Sequence, residues 1–444
     1  MANPAPTAIR GNSMPAGGFV NQQPVAPSGT PTQLDELIAN LTPAVTAFRN
    51  ASSPLEVNLA SVSLAGNEQV LGAEAAVRVP NVGLGYRIVR EHQAVITLDN
   101  TTAAAVTLSF GTRFPYDLIT STALDIDGGG SPYSASGWGG LKVALRGRPG
   151  AWKSSGANPP GLSRSLVRLS ASGGTLNANA YGQWTPSGYQ SVTIAAATTC
   201  TLTVTFYTFE KLAKDQTGLI GALPLQNNST YATLTTTLAS ALTGSNGQSP
   251  LWEAGGFPVG VTVAATSYNI TGTYKFWSVT SSAQLYAEMV SNSYQVHEAK
   301  GIDIGSTGSE AFTYDIPQNN YFGAAHFHLV DANGAPIPAI NFSPFRILYN
   351  AGSIKPVIKY AGRTRAEQFL TYDADLADVP GYVLWDGDAT SESILDTDDA
   401  GWINTYKAAS PQFVADIADG VVTPGVATVT REVLVVGSVV SVGG

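Results

Sequence analysis

The histidines are the first residues whose chemistry could form a site. The chain has four of them, His92, His297, His326 and His328. In the run HFH the last two are separated by one residue and would face the same side of a strand, a spacing that can serve a metal ion. No Cys, Asp or Glu nearby completes a ligand set with recognisable spacing. We interpret this pair as ordinary strand or interface histidines and predict no metal site.

Two acidic runs have the composition of calcium loops. They are DGDATSE at Asp386–Glu392 and DTDD at Asp396–Asp399. Calcium loops also need a Gly at the sixth position and a Glu at the twelfth, and both are missing from the required register. We interpret the runs as solvated acidic loops. The run DIDGGG at Asp125–Gly130 could cradle a phosphate, but it opens no helix and carries no Lys, so we interpret it as a turn.

Nucleophilic catalysis has no local signature in the sequence. Neither a nucleophile elbow nor another motif supports a Ser-His-Asp or Cys-His arrangement. The single cysteine, Cys200, excludes an intramolecular disulfide framework. No charged segment followed by an apolar one opens the chain, so we expect folding in a reducing cytoplasm. We predict no catalytic residues and no cofactor, and we do not expect an enzyme.

The elements that must position any site are predicted to be β-strands. A chain of 444 residues is long enough for two domains, and only 12% of its residues are charged. In TLTVTFYTF, Leu202, Val204 and Phe206 alternate with threonines, the period of a half-buried strand. Many such runs are separated by Gly, Pro, Asn and Asp clusters, which indicates β-sandwiches. The net charge of −9 argues against a nucleic-acid-binding surface.

Residues 1–54 are predicted to form an N-terminal arm and an amphipathic helix. Residues 1–29 have too few large apolar groups to fold alone. Thr30 and Pro31 then give a helix-start signal, and Pro43 should kink or end the helix. The apolar stripe of this helix consists of Leu34, Leu37, Ile38, Leu41, Val45 and Phe48. The stripe could dock on the chain's own core or on a neighbour, or lie on a membrane surface, although its polar face lacks Lys and Arg.

An internal repeat predicts two copies of one sandwich. FPYDLI at Phe114–Ile119 and SPFRIL at Ser343–Leu348 are each preceded by a strand, a proline, a small loop and a second strand. We predict a first sandwich over residues 55–245, a Gly-, Ser- and Pro-rich linker over 246–256 and a second sandwich over 257–444. The segment between Gly128 and Gly188 has few clear strands, so we predict an elaborated loop region there.

Three stretches of the first half carry a family resemblance. They are Asn81–Gly111, the run PYDLI with SGW downstream at Ser136–Trp138, and Gln190–Ala239. Together with the arm, the helix and the absence of a catalytic motif, they resemble the major capsid proteins of tectiviruses. This double jelly-roll lineage includes the adenovirus hexon. The resemblance is best over residues 55–245 and looser, though consistent in order, over the second half.

The resemblance implies an all-β fold of two tandem jelly-roll β-sandwiches, a double jelly roll, with an N-terminal arm and short helix. It also implies a homotrimer with a pseudo-hexagonal outline that tiles an icosahedral shell over the internal lipid membrane of a bacteriophage. The expected partners are neighbouring trimers and the vertex and minor membrane proteins of the virion, with no direct contact to nucleic acid. The protein would be located in the virion shell after assembly in the host cytoplasm. The long loop region would lie at the capsid exterior or a trimer seam.

Two other functions remain open. A two-domain jelly-roll enzyme acting on glycans would use carboxylates of the acidic loops as acid and base, in an aromatic-lined cleft. A glycan-binding surface protein would instead present exposed Trp and Tyr as a sugar platform.

Overall fold

The structure is a computed structural model. It describes residues 54–66, 71–127, 130–146, 151–153, 161–180, 184–214, 221–225, 231–244, 247, 249–253, 256–278, 292–348, 357–359, 379, 381–387, 403–406 and 410–436. The predicted arm and helix lie outside the described residues. Strands dominate the described part, as the alternating sequence predicted.

The described residues of the first half form one α-helix and seventeen short or long strands. In chain order they are β1 (Pro54–Asn58), β2 (Val62–Gly66), β3 (Glu74–Val79), β4 (Leu84–Asn100), β5 (Val106–Phe110), β6 (Ile119–Ile126), β7 (Gly130–Ala135), α1 (Gly137–Leu145), β8 (Trp152–Lys153), β9 (Gly161–Leu162), β10 (Val167–Ser172), β11 (Gly174–Ala178), β12 (Tyr189–Ile194), β13 (Thr198–Lys211), β14 (Leu223–Pro224), β15 (Ala232–Leu238), β16 (Thr243–Gly244) and β17 (Leu251–Trp252).

The second half continues with ten strands. They are β18 (Val261–Trp277), β19 (Asn292–Ile304), β20 (Gly308–Asp315), β21 (Tyr321–Val330), β22 (Phe342–Leu348), β23 (Val357–Lys359), β24 (Tyr382–Asp386), β25 (Ile403–Asn404), β26 (Gln412–Ile417) and β27 (Gly425–Val436). Among the described residues no helix is both long enough and apolar enough to cross a membrane.

The strands β19 to β27 form a jelly roll. Its antiparallel pairs are nested: β19 with β27, β20 with β26, β21 with β24, and β22 with β23. The chain therefore runs as one long hairpin that is rolled into two facing sheets, in the orders β19-β27-β21-β24 and β20-β26-β22-β23. Aromatic residues from both sheets, among them Phe327, Phe345 and Phe413, fill the space between them.

The first half repeats the central part of this pairing scheme. The long strands β4 and β13 enclose the shorter pair β5 and β12, as β19 and β27 enclose β20 and β26. In addition, β10 adds to β13 and β11 adds to β12, as β21 adds to β27 and β22 adds to β26. Both halves thus bring six strands together in the same chain order and with the same partners.

The long strands of the first half bury one face only. In β4 the even-numbered residues point inward, from Ile88 to Leu98, while odd-numbered neighbours such as Gln93 remain accessible. At one end this face packs on β5 and β12, and at the other end on β3, β6 and β15. The alternation of apolar residues that was visible in the sequence is therefore the alternation between core and outer face.

One sheet crosses from the first half into the second. The strands β7 and β19 pair in parallel, through Tyr133 with Val296 and Ser134 with His297. This pairing joins β3-β15-β6-β7 to β19-β27-β21-β24 as one continuous sheet. The two sandwiches consequently share a backbone connection as well as a chain.

The predicted domain bounds stay a prediction, but two strands bear on them. β18, placed by the sequence in the second sandwich, pairs with β4 of the first over nearly its whole length. β17, in the predicted linker, pairs with β5. Gly and Pro mark turns, and a turn does not reveal which sheet the following strand joins.

The Pro–aromatic repeat does not mark equivalent places. Pro115 lies between β5 and β6, next to a 3-10 turn at Tyr116–Leu118, whereas Pro344 lies inside β22. Both prolines follow cis peptide bonds. In the pairing scheme β5 corresponds to β20, so the place equivalent to Pro115 follows β20 and does not lie in β22. The repeat inferred from the sequence therefore aligns the wrong strands. The duplication itself is carried by the strand order.

The prediction of an elaborated outer loop over 128–188 is wrong for its first part. Residues 130–135 form β7, and Ser136 then starts α1, whose residues are all buried. Glycines are poor helix formers, which is why GWGG reads as a loop. The helix is stabilised instead by its packing between the two halves.

Candidate functional site

Of the described residues singled out from the sequence, His326 and Asp386 belong to one polar cluster, in which Glu432 and Arg146 link them. The residues predicted for assembly, Leu34, Leu37, Ile38, Leu41, Val45 and Phe48, lie outside the described residues, as do the acidic runs apart from Asp386 and Gly387. His92, His326 and His328 are buried, and His297 is partly buried. The described residues include no group of three or more His, Cys, Asp or Glu that could hold a metal ion.

The most organised set of polar side chains lies where the two halves meet. We name it the junction cluster. It consists of Lys142, Arg146, Lys211, Tyr294, His326, Tyr382, Asp386 and Glu432. The first three residues come from the first half and the other five from the second.

The start of α1 is fixed by a carboxylate from the second half. Ser136 caps the helix, because its Oγ accepts a hydrogen bond from the Gly139 backbone N at 3.0 Å. The Ser136 backbone N and Oγ both donate to Glu298 Oε2 on β19, at 2.9 and 2.7 Å. A Cβ at Gly139 would lie 2.0 Å from that same oxygen, and one at Gly140 would lie 2.2 Å from the Tyr133 hydroxyl. Glycine at these positions lets the helix approach the sheet.

Glu432 is the centre of the junction cluster. Arg146, immediately after α1, donates from Nε to Glu432 Oε1 at 2.8 Å and from Nη2 to Oε2 at 2.9 Å. Lys211 at the end of β13 donates to Oε2 at 3.1 Å, and the Tyr294 hydroxyl also donates to Oε2. Arg146 donates further to Asp386 Oδ1 at 2.9 Å. Two cations and two carboxylates therefore balance in a region that excludes water.

This balance sets the ionisation of Glu432. Its side chain is 0% exposed. Burial alone would raise the pKa of Glu432, but Arg146 and Lys211 together with His326 hold that pKa well below its usual range. The carboxylate is therefore charged across the physiological pH range.

His326 joins the cluster as a neutral ring. Burial, opposed by the hydrogen bond that His326 donates to Glu432, lowers the pKa of His326 to about 4. Its Nε2 lies 3.0 Å from Glu432 Oε1 and its Nδ1 lies 2.9 Å from the Tyr382 hydroxyl. Because a carboxylate only accepts, Nε2 carries the proton and Nδ1 accepts from the tyrosine.

Lys142 lies beside this ring. The ammonium donates to the His326 backbone carbonyl at 3.4 Å and sits 5.3 Å from the centre of the Tyr382 ring. Burial lowers the pKa of Lys142 to about 7, against the opposing effect of Glu298. The helix thus inserts one cation from its middle and another from its end into the second half.

The first half has a matching cluster of its own. Arg90 on β4 donates from Nε to Glu210 Oε1 on β13 at 3.1 Å, and from Nη2 to Thr122 Oγ1 on β6 at 3.1 Å. His92 Nε2 lies 2.9 Å from Thr208 Oγ1, which donates to Glu210 at 2.9 Å. The other ring nitrogen lies 3.2 Å from the Tyr268 hydroxyl. Burial, and secondarily Arg90, lowers the pKa of His92 well below its usual range.

The chemistry of both clusters is structural. In each, a tyrosine, a neutral histidine, a glutamate and an arginine are linked by hydrogen bonds inside the core, with the His92, His326, Glu210 and Glu432 side chains at most 1% exposed. A substrate would have to displace a sheet to reach them. Buried hydrogen-bond networks rigidify a core and specify one arrangement, and here, among the described residues, Glu210 Oε2 is left without a hydrogen-bond partner.

Little in the sequence pointed to these residues. Arg146 and Glu432 are separated by 286 positions, and neither belongs to a local motif. One signal was available: Arg90, His92 and Glu432 are polar residues at inward positions of otherwise apolar alternating strands. Such residues are expected to be paired across the core.

The fold and the joined sandwiches define a class: an all-β double jelly roll. Solved structures that share this fold include the STIV MCP and the structure of Sulfolobus Turreted Icosahedral Virus. The STIV MCP is 14% identical, with a TM-score of 0.52, and the match covers 86% of this chain and 97% of that chain. The structure of Sulfolobus Turreted Icosahedral Virus gives 13% identity, a TM-score of 0.52 and coverage of 86% and 91%. No family model matches the sequence, and neither does any curated protein.

Loss of the Glu432 charge should destabilise the protein strongly. In Glu432→Gln, Arg146 would keep Asp386, but Arg146 and Lys211 would both lose the Glu432 carboxylate, and breaking a buried ion pair costs about 3–5 kcal/mol. Chemical denaturation of the variant should show this loss in the free energy of unfolding. The matched control is Glu310→Gln, which removes an exposed partner of Arg346 and should change stability by less than about 1 kcal/mol. Equal effects of the two variants would contradict the role given to Glu432.

Stability should fall in mild acid. His326 has a folded-state pKa of about 4 against an ordinary value of 6.5, so the unfolded chain binds the proton more tightly. The contribution of His326 to the free energy of unfolding is complete above pH 6.5. It is lost as the pH falls towards 4, and the loss is about 3 kcal/mol. His326→Gln, whose amide can donate to Glu432 but does not titrate, should show a shallower decrease between pH 7 and 4.5 in denaturation curves. An unchanged pH dependence would assign the effect to other groups.

Proposed function

We propose that this protein is a structural major capsid protein that builds the shell of an icosahedral virus. The observation that carries the proposal is the fold, which the chain shares with the STIV MCP over 97% of that protein's length. The likeness extends over both sandwiches and so includes the way they are combined. No second site in the described residues competes with this assignment.

The assembly unit of this proposal is a homotrimer with a pseudo-hexagonal outline. Each chain supplies two sandwiches with the same central strand order, so three chains supply six similar sides. The proposal is supported by the rigid connection between the sandwiches. A tile needs a constant angle between its sides, and the β7–β19 pairing and the junction cluster both oppose changes in that angle.

The finer parts of the proposal concern the virion. We place the shell over an internal lipid membrane in a bacteriophage, with vertex and minor membrane proteins as further partners and the virion as location. The sequence resemblance to tectivirus capsid proteins supports this. The net charge of −9 agrees with a shell that does not contact the genome directly.

The glycan-active enzyme finds no supporting observation in the described residues. Two carboxylates do converge, since Asp386 and Glu432 both bind Arg146. Both are buried and paired, so neither can act as an acid or base on a sugar. A glycan-binding role would need an aromatic platform, and among the exposed large apolar side chains of the described residues only Tyr231 is aromatic.

The purified protein should be a trimer. Sedimentation at micromolar concentration should give three times the chain mass, because a tile of six similar sides requires three chains. Dilution across a hundredfold range serves as the control for weak association. A stable monomer throughout would count heavily against the capsid proposal.

Removal of the arm and helix should impair assembly while leaving the fold intact. We propose that Leu34, Leu37, Ile38, Leu41, Val45 and Phe48 act in assembly at the interior-facing base of the shell. Deletion of residues 1–48 removes no described strand, so soluble trimers should persist while shell formation, followed by electron microscopy, is lost. A chain lacking only residues 1–29 is the matched control. Unfolding of the longer deletion would place the helix in the core, and normal shells would show that it is dispensable.

A further inference from the structure

The edge strand β1 carries an apolar row on its inner face. Leu55 pairs with Phe276 and Val57 pairs with Tyr274, and both partners are core residues of β18. Leu59 continues the row and belongs to the same core. The residue between Leu55 and Val57 points the other way, since Glu56 binds Lys275 at 2.9 Å. The strand is therefore built to be buried on one face.

Neighbouring residues bury only part of this apolar row. The exposed fraction rises from 7% at Leu59 to 36% at Val57 and 48% at Leu55. Val82 is 38% exposed at the same edge, where its carbonyl accepts a hydrogen bond from the Tyr274 hydroxyl at 3.2 Å. The side chains of this row thus become more exposed towards the N-terminal end of β1. We name Leu55, Val57 and Val82 the open edge.

We propose that residues 34–48 of the same chain cover the open edge. The uncovered end of the row is the end from which the chain leads back to these residues. Only residues 49–53 separate Phe48 from Pro54, and five residues reach about 17 Å at most when extended. The segment carries a stripe of six large apolar residues, and these could pack against the open edge, which the described residues leave partly uncovered. Burial of each such side chain contributes about 1.5–3 kcal/mol.

The short connection favours the chain's own segment over a second copy. A connection of only five residues keeps the stripe at an effective concentration in the millimolar range, well above that of a neighbouring chain in solution. The inference does not depend on the proposed capsid function, because it concerns the isolated chain. A second copy and a lipid surface are the alternative occupants.

Disulfide trapping distinguishes these occupants. Val45 lies on the apolar stripe and Thr46, one residue further along, lies off it, so Val45→Cys and Thr46→Cys can be compared, each with Leu55→Cys. The native Cys200 is fully buried and contributes no background. The Val45 pair should form an intramolecular disulfide at least about ten times faster than the Thr46 pair. Equal rates would overturn the proposal. Links between isotopically labelled and unlabelled chains would assign the open edge to a second copy.

Hydrogen exchange gives an independent readout in the full chain. Amides of residues 34–48 should be protected without lipid, and Leu55→Asp should speed their exchange by about tenfold or more. Asn58→Asp is the matched control, because Asn58 lies on the opposite face of β1 from Leu55. Protection that survives Leu55→Asp would overturn the proposal. Protection that appears only after vesicles of phosphatidylglycerol are added would also overturn the proposal. That result would assign the stripe to a membrane surface.

Discussion

The structure depends on the neutralisation of one buried carboxylate. Glu432 lies in the middle of the sheet that crosses both halves, and an unpaired charge at that depth would cost several kcal/mol. Its partners come from the end of α1, from β13, from β19 and from β21. Because hydrogen bonds tolerate only small changes in distance, these four elements are fixed relative to β27. Apart from the pairing of β18 with β4, the backbone link between the halves is short by comparison, with two residue pairs between β7 and β19.

The glycines of α1 follow from the same constraint. Arg146 can reach Glu432 only if the preceding helix lies close to the sheet. That approach leaves no space for side chains at Gly139, against Glu298, or at Gly140, against Tyr133. Glycines that are unfavourable in an isolated helix are thus favourable in α1, because they allow the helix to pack closely against the sheet. Tertiary packing and the Ser136 cap compensate for the low helix propensity of glycine.

The sequence predicted the strands better than their partners. Alternation at Leu202, Val204 and Phe206 is a local property, so it identified β13 and its buried face without other information. The pairing of β18 with β4 is non-local and depends on which sheet has a free edge, so the composition of the linker could not predict it. The double jelly roll was predicted through a family resemblance. The junction cluster could not be predicted from the sequence, because residues as distant in sequence as Arg146 and Glu432 become neighbours only in the folded chain.

Duplication of the strand order has not produced two self-sufficient units. The arginine of the first buried cluster, Arg90, comes from the strand next to its glutamate. The equivalent arginine of the second, Arg146, comes from the other half of the chain. In return, β18 extends the sheet of the first half. Each sandwich therefore supplies a part that the other needs, and the pair behaves as one body. In the proposed role as a shell subunit, this mutual dependence would keep the angle between the two sandwiches constant.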